Sequence, residues 1–336
     1  MASNDSKLSD LILGRESKPF LSIEIFPPKT SNGVLLLDKV IEELLEIKPL
    51  FLDVTWGAGG STSELTFNLC KNFREKHQLT TNIHITCTNM KTETIDDTLQ
   101  KMQQIGMRNL LALRGDPPVG QEWIAMEGGL TCALDLINYI KNKFNDYFHI
   151  SCACYPEGHP SSMTSKPYDE MSQEEKARCY EEISEDGTKN YFVCTDENYA
   201  KEMAYLKQKV DAGASAIITQ MFFDTEVFKY FVEKCREYEI NVPIIPGIML
   251  IQNYAGFKRM IKFCKTRVPA ALLEKVESLK DDEEDFKRYG IDFGIAMSKE
   301  LLSQGALGLH FYTLNQSAAT LNIASALFDS ASIIQN

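Results

Sequence analysis

Residues 21–56, LSIEIFPPKTSNGVLLLDKVIEELLEIKPLFLDVTW, decide the fold. A short apolar run (21–26) gives way to an amphipathic segment (33–47), then to a second short apolar run (50–56). Short apolar runs bounded by turn residues read as buried strands, and the longer periodic stretch between them reads as a helix. Such a unit predicts two parallel strands joined by a right-handed helical crossover.

The same alternation continues along the chain. Further strands are expected at 81–87, 109–114, 149–155, 215–221, 242–246 and 307–312. Helical patterns fall near 62–76, 93–106, 129–145, 197–213, 226–238, 253–265, 269–278, 281–305 and 316–331. Eight strands alternating with helices predict an α/β fold whose parallel sheet closes into a (β/α)8 TIM barrel. A single domain over 18–336 is expected, after a flexible N-terminal segment, 1–17. Residues 161–196 are polar and poor in aliphatics, and are expected to form a surface insertion with one short helix, either a lid or a decoration.

Strand faces sharpen the picture. In LSIEIF, Ser22, Glu24 and Phe26 oppose Leu21, Ile23 and Ile25. Asp53 and Thr55 oppose Leu52 and Val54; Asn82, His84 and Thr86 oppose Ile83 and Ile85. Arg114 and Asp116 are expected to oppose Leu111 and Leu113, as His310 and Tyr312 oppose Leu309 and Phe311. Polar groups thus gather near the strands' C-terminal ends, where barrel enzymes carry their chemistry.

Bulk properties exclude several classes. A net charge of −12 and a pI near 5.0 argue against a nucleic-acid surface, which needs a basic stripe. No apolar run is long enough for a membrane span, and the N-terminus lacks a signal-peptide core. Nine cysteines without a CxxC pair suit a reducing, cytoplasmic setting. GAGG at 57–60 does not complete a GxGxxG fingerprint, and no metal-spaced His/Cys set is present, so no metal is expected.

Individually the strand-end residues leave alternatives open. Glu24, between apolar neighbours, is either a general acid biased toward its neutral form or a structural carboxylate paired with a barrel Lys or Arg. Arg114 either binds phosphate or pairs with Asp116, and Gly115 allows close backbone approach. His84, Tyr155, His159, Gln220 and Tyr312 are equally compatible with ordinary barrel-mouth side chains.

Together they form a pattern. IEIFPPKT (23–30), DVTWGAGG (53–60), HITC (84–87), ALRGDPP (112–118), YPEGHP (155–160), KVDAGASAIITQMFFD (209–224), PIIPGI (243–248) and GLHFYTLN (308–315) resemble, in order and spacing, the methylenetetrahydrofolate reductases. The resemblance covers about residues 18–330, and 122–148 looks like the eukaryotic branch. It implies non-covalent FAD at the barrel mouth, held by Thr55, His84, Arg114, Gly115, Asp116, Tyr155, His159 and Lys209, with Glu202 in place of a family aspartate. It further implies Glu24 as general acid, Asp116 as an electrostatic partner of the flavin, and Gln220, Tyr312 and Gln316 as substrate contacts. The reaction implied is ping-pong reduction of 5,10-methylenetetrahydrofolate by NADPH or NADH, in a homo-oligomer. Gln316 stands where many members have arginine, and Met260 where bacterial members have phenylalanine. The chain stops where eukaryotic members continue into an S-adenosylmethionine-binding domain, so that inhibition is expected to be absent. Another flavin barrel, related to proline dehydrogenase, and a silent flavin-binding module are the competing readings.

Overall fold

The first crossover unit forms as its pattern requires. Strand β1 (Phe20–Ile25) leads into helix α2 (Ser31–Leu44), whose N-terminus is capped by the Thr30 hydroxyl accepting from Gly33 N. Leu37, Ile41 and Leu44 bury the helix's apolar stripe against the sheet, and β2 (Leu52–Val54) follows beside β1. The computed structural model describes residues 6–15, 18–57, 62–117, 123–184 and 186–328.

The remaining parallel strands are β3 (Thr81–Thr86), β4 (Asn109–Leu113), β5 (His149–Cys154), β9 (Ala216–Thr219), β10 (Ile244–Ile245), β11 (Gly247–Met249) and β12 (Gly308–Tyr312). Their order is β10-β9-β5-β4-β3-β2-β1-β12-β11. The sheet's two ends, β10 and β11, are neighbours in sequence separated only by Pro246. They are one stave, interrupted where proline has no N–H for the ladder. Pro246 O still accepts from His310 N (3.0 Å), and Gly247 N donates to Thr219 Oγ1 (3.0 Å). The sheet therefore closes into the expected eight-stave barrel.

Apolar side chains on the outer strand faces pack beneath the surrounding helices in one large core. Inside the barrel Phe20, Phe51, Leu111, Ile218 and Ile245 form an apolar cluster, alongside the buried polar side chains Ser22, Asp53, Asn82, His84, Ser151 and His310. A second apolar cluster, including Met221, Phe223, Ile251, Phe257 and Phe286, joins α9 (Tyr254–Cys264), α10 (Ala270–Ser278) and the start of α11 (Glu283–Ser303) to the ends of β9 and β11.

Three expectations need correction. The segment 1–17 is not simply a flexible lead: residues 8–13 form α1 (Leu8–Leu13), with Leu8 and Ile12 buried against the barrel's base. Leu8 N donates to Asn109 Oδ1 (2.9 Å), and Ser9 N to His149 Nδ1 (3.2 Å). Second, the faces of β4 are reversed. Leu111 pairs in register with inward-facing His84 and joins the interior cluster, whereas Leu110 and Ala112 face the helices. Third, 161–196 holds a three-stranded antiparallel sheet, β6 (Met163–Ser165), β8 (Lys189–Cys194) and β7 (Tyr180–Ile183), besides the short α6 (Gln173–Ala177). Buried Arg178 anchors it: Nε donates to Cys194 O (3.0 Å), Nη2 pairs with Asp196, and the guanidinium lies 4.5 Å from the Tyr199 ring centre. This burial supplies the order that its sparse aliphatic content did not advertise.

Candidate active site

A cavity of about 590 Å³ opens at the C-terminal ends of the strands. That lies within the usual span for small-molecule and cofactor sites, roughly 300–1,000 Å³. Glu24, Thr55, His84, Arg114, Gly115, Asp116, Tyr155, His159, Glu202, Lys209, Gln220 and Tyr312 all line it. Thus every site residue named from the sequence is brought together except Gln316, which is exposed and lies outside the lining. Met260 belongs to the second apolar cluster rather than to the cavity wall. Of GAGG, only Gly57 lies within the described residues, and it lines the cavity.

One corner is built by β1, β2, β3 and β12. Glu24, its side chain 18% exposed, has Oε2 at 3.5 Å from both His84 Nε2 and His310 Nε2. The neighbours are imidazoles, not the apolar wall or the Lys/Arg partner expected from sequence. His84 Nε2 also sits 3.1 Å from Oδ2 of fully buried Asp53, and His310 Nδ1 lies 2.9 Å from Ser22 Oγ. Burial would lower the His84 pKa, but the Asp53 hydrogen bond and the charges of Glu24 and Asp53 outweigh it and leave it raised. Glu24, Asp53 and His84 also have the mutual spacing of a metal-ligand set. Tyr312 donates to Thr219 O at 2.5 Å, and burial pushes its phenol well up, so it stays protonated.

The middle of the cleft comes from the loop after β4. Gly115 has φ +86°, and a Cβ there would stand 2.6 Å from Thr88 Oγ1. Thr88 cannot readily retreat: its hydroxyl accepts from Trp123 Nε1 (2.8 Å) and donates to Arg114 O (2.9 Å). The Arg114 guanidinium lies 5.4 Å from the Trp123 ring centre.

The far wall comes from β5 and α7 (Asp196–Asp211). The Tyr155 and His159 rings meet edge to face at 4.5 Å, and His159 Nδ1 accepts from Ser161 N (3.1 Å). Burial lowers the His159 pKa; Arg114 and Lys209 add to that, against Glu202 and Asp116. Lys209 is buried and donates to Ala153 O (2.6 Å), while Glu202 accepts from Ser162 Oγ (2.5 Å). Sequence reasoning noted Asp53 and His310 as polar strand residues without assigning them to the site. Trp123 carried no signal, because the Thr88 hydroxyl it donates to lies 35 residues away, and Ser161, two residues from His159, was read only as the start of the polar insertion.

No helix among the described residues is long and apolar enough to cross a membrane. A closed parallel barrel whose strand ends converge on a cleft lined by charged residues defines a ligand-binding barrel of the enzyme type. A model of the methylenetetrahydrofolate reductase family matches residues 8–328, and the chain belongs to that family. It is 45% identical over 303 residues to methylenetetrahydrofolate reductase (NADH) 1 of Arabidopsis thaliana, covering 90% of this chain and 47% of that one. It is 29% identical to 5,10-methylenetetrahydrofolate reductase of Escherichia coli, covering 97% and 96%. The chain thus spans about half the length of the plant relative and nearly all of the bacterial one. A Clostridium thermocellum protein solved with two copies of 5-methyl-5,6,7,8-tetrahydrofolic acid shares the fold, with a TM-score of 0.56 at 14% identity, covering 95% of this chain and 97% of that one.

Proposed function

We propose that the chain reduces 5,10-methylenetetrahydrofolate to 5-methyltetrahydrofolate at the expense of NADH or NADPH, through bound FAD in a ping-pong cycle. The observation that carries this reading is that Glu24, Arg114, Gly115 and Lys209 line one cavity at the strands' C-terminal ends. The cleft suits a flavin dinucleotide. Gly115 leaves room for close approach over a fixed threonine, and Arg114 and Lys209 provide positive charge for phosphates.

In this proposal Thr55, His84, Arg114, Gly115, Asp116, Tyr155, His159, Glu202 and Lys209 hold the cofactor, which when bound supplies a two-electron hydride carrier. The chain's own groups handle the proton and the charge. The folate's five-membered ring must open before its methylene carbon accepts hydride. As the bond from that carbon to N10 breaks, the electron pair goes to N10, and Glu24 supplies the proton there. The cation left at N5 is stabilised by the Asp116 carboxylate, which lines the same cavity. Gln220 and Tyr312 orient the folate, and then the nicotinamide in its turn. Nine cysteines without a CxxC pair suit a reducing compartment, and the proposal sets the reaction in the cytoplasm.

An anaerobic titration tests this. The purified chain should show a flavin spectrum that bleaches with NADH or NADPH and returns when 5,10-methylenetetrahydrofolate is added. Bleaching without recovery would remove the folate from the reading; a protein that FAD cannot reconstitute would remove the flavin.

A further inference from the structure

Trp123 lines the cavity beside Arg114, yet none of the cofactor contacts proposed above gives it a role. Its indole closes a circuit. Nε1 donates to Thr88 Oγ1 (2.8 Å), the Thr88 hydroxyl donates to Arg114 O (2.9 Å), and Thr88 N donates to the same carbonyl (3.1 Å). The Arg114 side chain then returns over the indole, its guanidinium carbon 5.4 Å from the ring centre. Arg114 is thereby held twice, by its backbone through Thr88 and by its charged head through the ring. The circuit also borders Gly115, since Thr88 Oγ1 is the atom that a Cβ there would strike.

A guanidinium on a long side chain has many rotamers, and fixing them weakens binding unless the free protein has fixed them already. No acid does so here. Among the described residues no carboxylate pairs with Arg114, Asp116 included. A ring against a guanidinium takes up one of its faces and leaves the N–H edge open. That edge is the part that recognises phosphate oxygens two at a time. The hydrogen bond from Nε1 keeps the indole from turning away.

We propose that Trp123 is a positioning residue, whose ring holds the Arg114 guanidinium at the cavity wall with its N–H edge free for a phosphate of the flavin dinucleotide. This rests on the flavin reading, and it adds a residue which that reading does not use. Trp123 acts through Arg114, so its contribution to cofactor affinity must vanish when the guanidinium is gone.

A double-mutant cycle on FAD affinity tests this. The purified chain, its flavin removed, is titrated with FAD, and quenching of the flavin fluorescence gives Kd for the wild type, Trp123→Leu, Arg114→Met and the double variant. Trp123→Leu should weaken FAD roughly three- to thirty-fold in the wild-type background, the range of a cation–π contact. In the Arg114→Met background the same change should cost less than about twofold. Trp123→Phe keeps a ring face without the anchoring N–H, and should fall between the wild type and Trp123→Leu. It also serves as the probe if the leucine variant does not fold. Equal losses in both backgrounds would mean that the indole touches the flavin itself, and would overturn the proposal. So would a Trp123→Leu or Trp123→Phe variant that binds FAD as the wild type does, or an Arg114→Met variant of unchanged affinity. A wild type that FAD cannot reconstitute removes the flavin reading, and this proposal with it.

Discussion

Asn315 clasps the backbone of Phe26 with both ends of its side chain, accepting from Phe26 N (3.0 Å) and donating Nδ2 to Phe26 O (2.8 Å). The loops that follow β1 and β12 are thereby locked together beside the cleft. Thr313 adds to the lock, since its hydroxyl donates to Glu24 O at 2.7 Å. The clasp needs unusual backbone: Leu314 and Asn315 both have positive φ, 52° and 58°. Asparagine tolerates that region better than most residues. We expect Asn315→Ala to lose two hydrogen bonds of about 0.5–1.5 kcal/mol each and to add left-handed strain of about 1 kcal/mol or more. Asn315→Gly loses the bonds without the strain, so thermal melts should rank alanine below glycine and both below wild type. Equal melting points for the two variants would mean that strain contributes nothing.

Glu24→Gln removes the acid while preserving its size. We expect flavin binding and dinucleotide oxidation to survive, and folate reduction to fall roughly a hundred- to ten-thousand-fold, the range of general acid catalysis. Separate anaerobic half-reactions read the two effects. Equal loss in both would reassign Glu24 to cofactor binding.

Gly115→Ala forces a methyl to within 2.6 Å of Thr88 Oγ1 at a φ of +86°. Gly187→Ala imposes nearly the same backbone conformation, φ +84°, with nothing within 4 Å. Backbone strain of about 1–3 kcal/mol is common to both. Only Gly115→Ala crowds the cleft, so only that variant should elute with sub-stoichiometric flavin. Flavin absorbance per chain after gel filtration is the measurement, and loss in Gly187→Ala as well would mean that strain alone explains it.

The barrel and the ring of residues at its mouth were legible because β1, β3 and β12 alternate polar and apolar side chains, which fixes their faces residue by residue. β4 was misread for the opposite reason. Residues 110–113 are all apolar, so no alternation exists, and only the register of Leu111 beside His84 sets the face. Glu24's partners were not legible either: whether a buried carboxylate meets imidazoles or aliphatics depends on strand stagger. Among the described residues, the small sheet in 161–196 has Met171, Cys179 and Val193 as its own core, with Tyr191 against them, too few to stand out in sequence. The helix Leu8–Leu13 shows apolar spacing, but it is short, and the partners that dock it, Asn109 and His149, lie more than a hundred residues away.

That docking carries a pH dependence of its own. His149 is buried, accepts from Ser9 N at Nδ1, and has Nε2 at 3.0 Å from Ser151 Oγ. Burial, with a smaller contribution from Lys7, depresses its pKa from 6.5 to about 3. Above 6.5 the folded and unfolded chains both carry it neutral, and it contributes no pH dependence. As pH falls below 6.5 the unfolded chain takes up a proton that the folded chain refuses, so the folded state loses stability progressively until about pH 3. Protonation in the folded state would also cost Ser9 its acceptor and loosen α1 from the barrel's base. We expect His149→Gln to flatten the part of the urea-midpoint curve lying between these values, even if its midpoint at pH 8 is lower. Because α1 sits at the opposite end from the cleft, the half-reaction rates at pH 8 should be unchanged. A variant curve parallel to the wild type across that range would show that other groups govern acid unfolding.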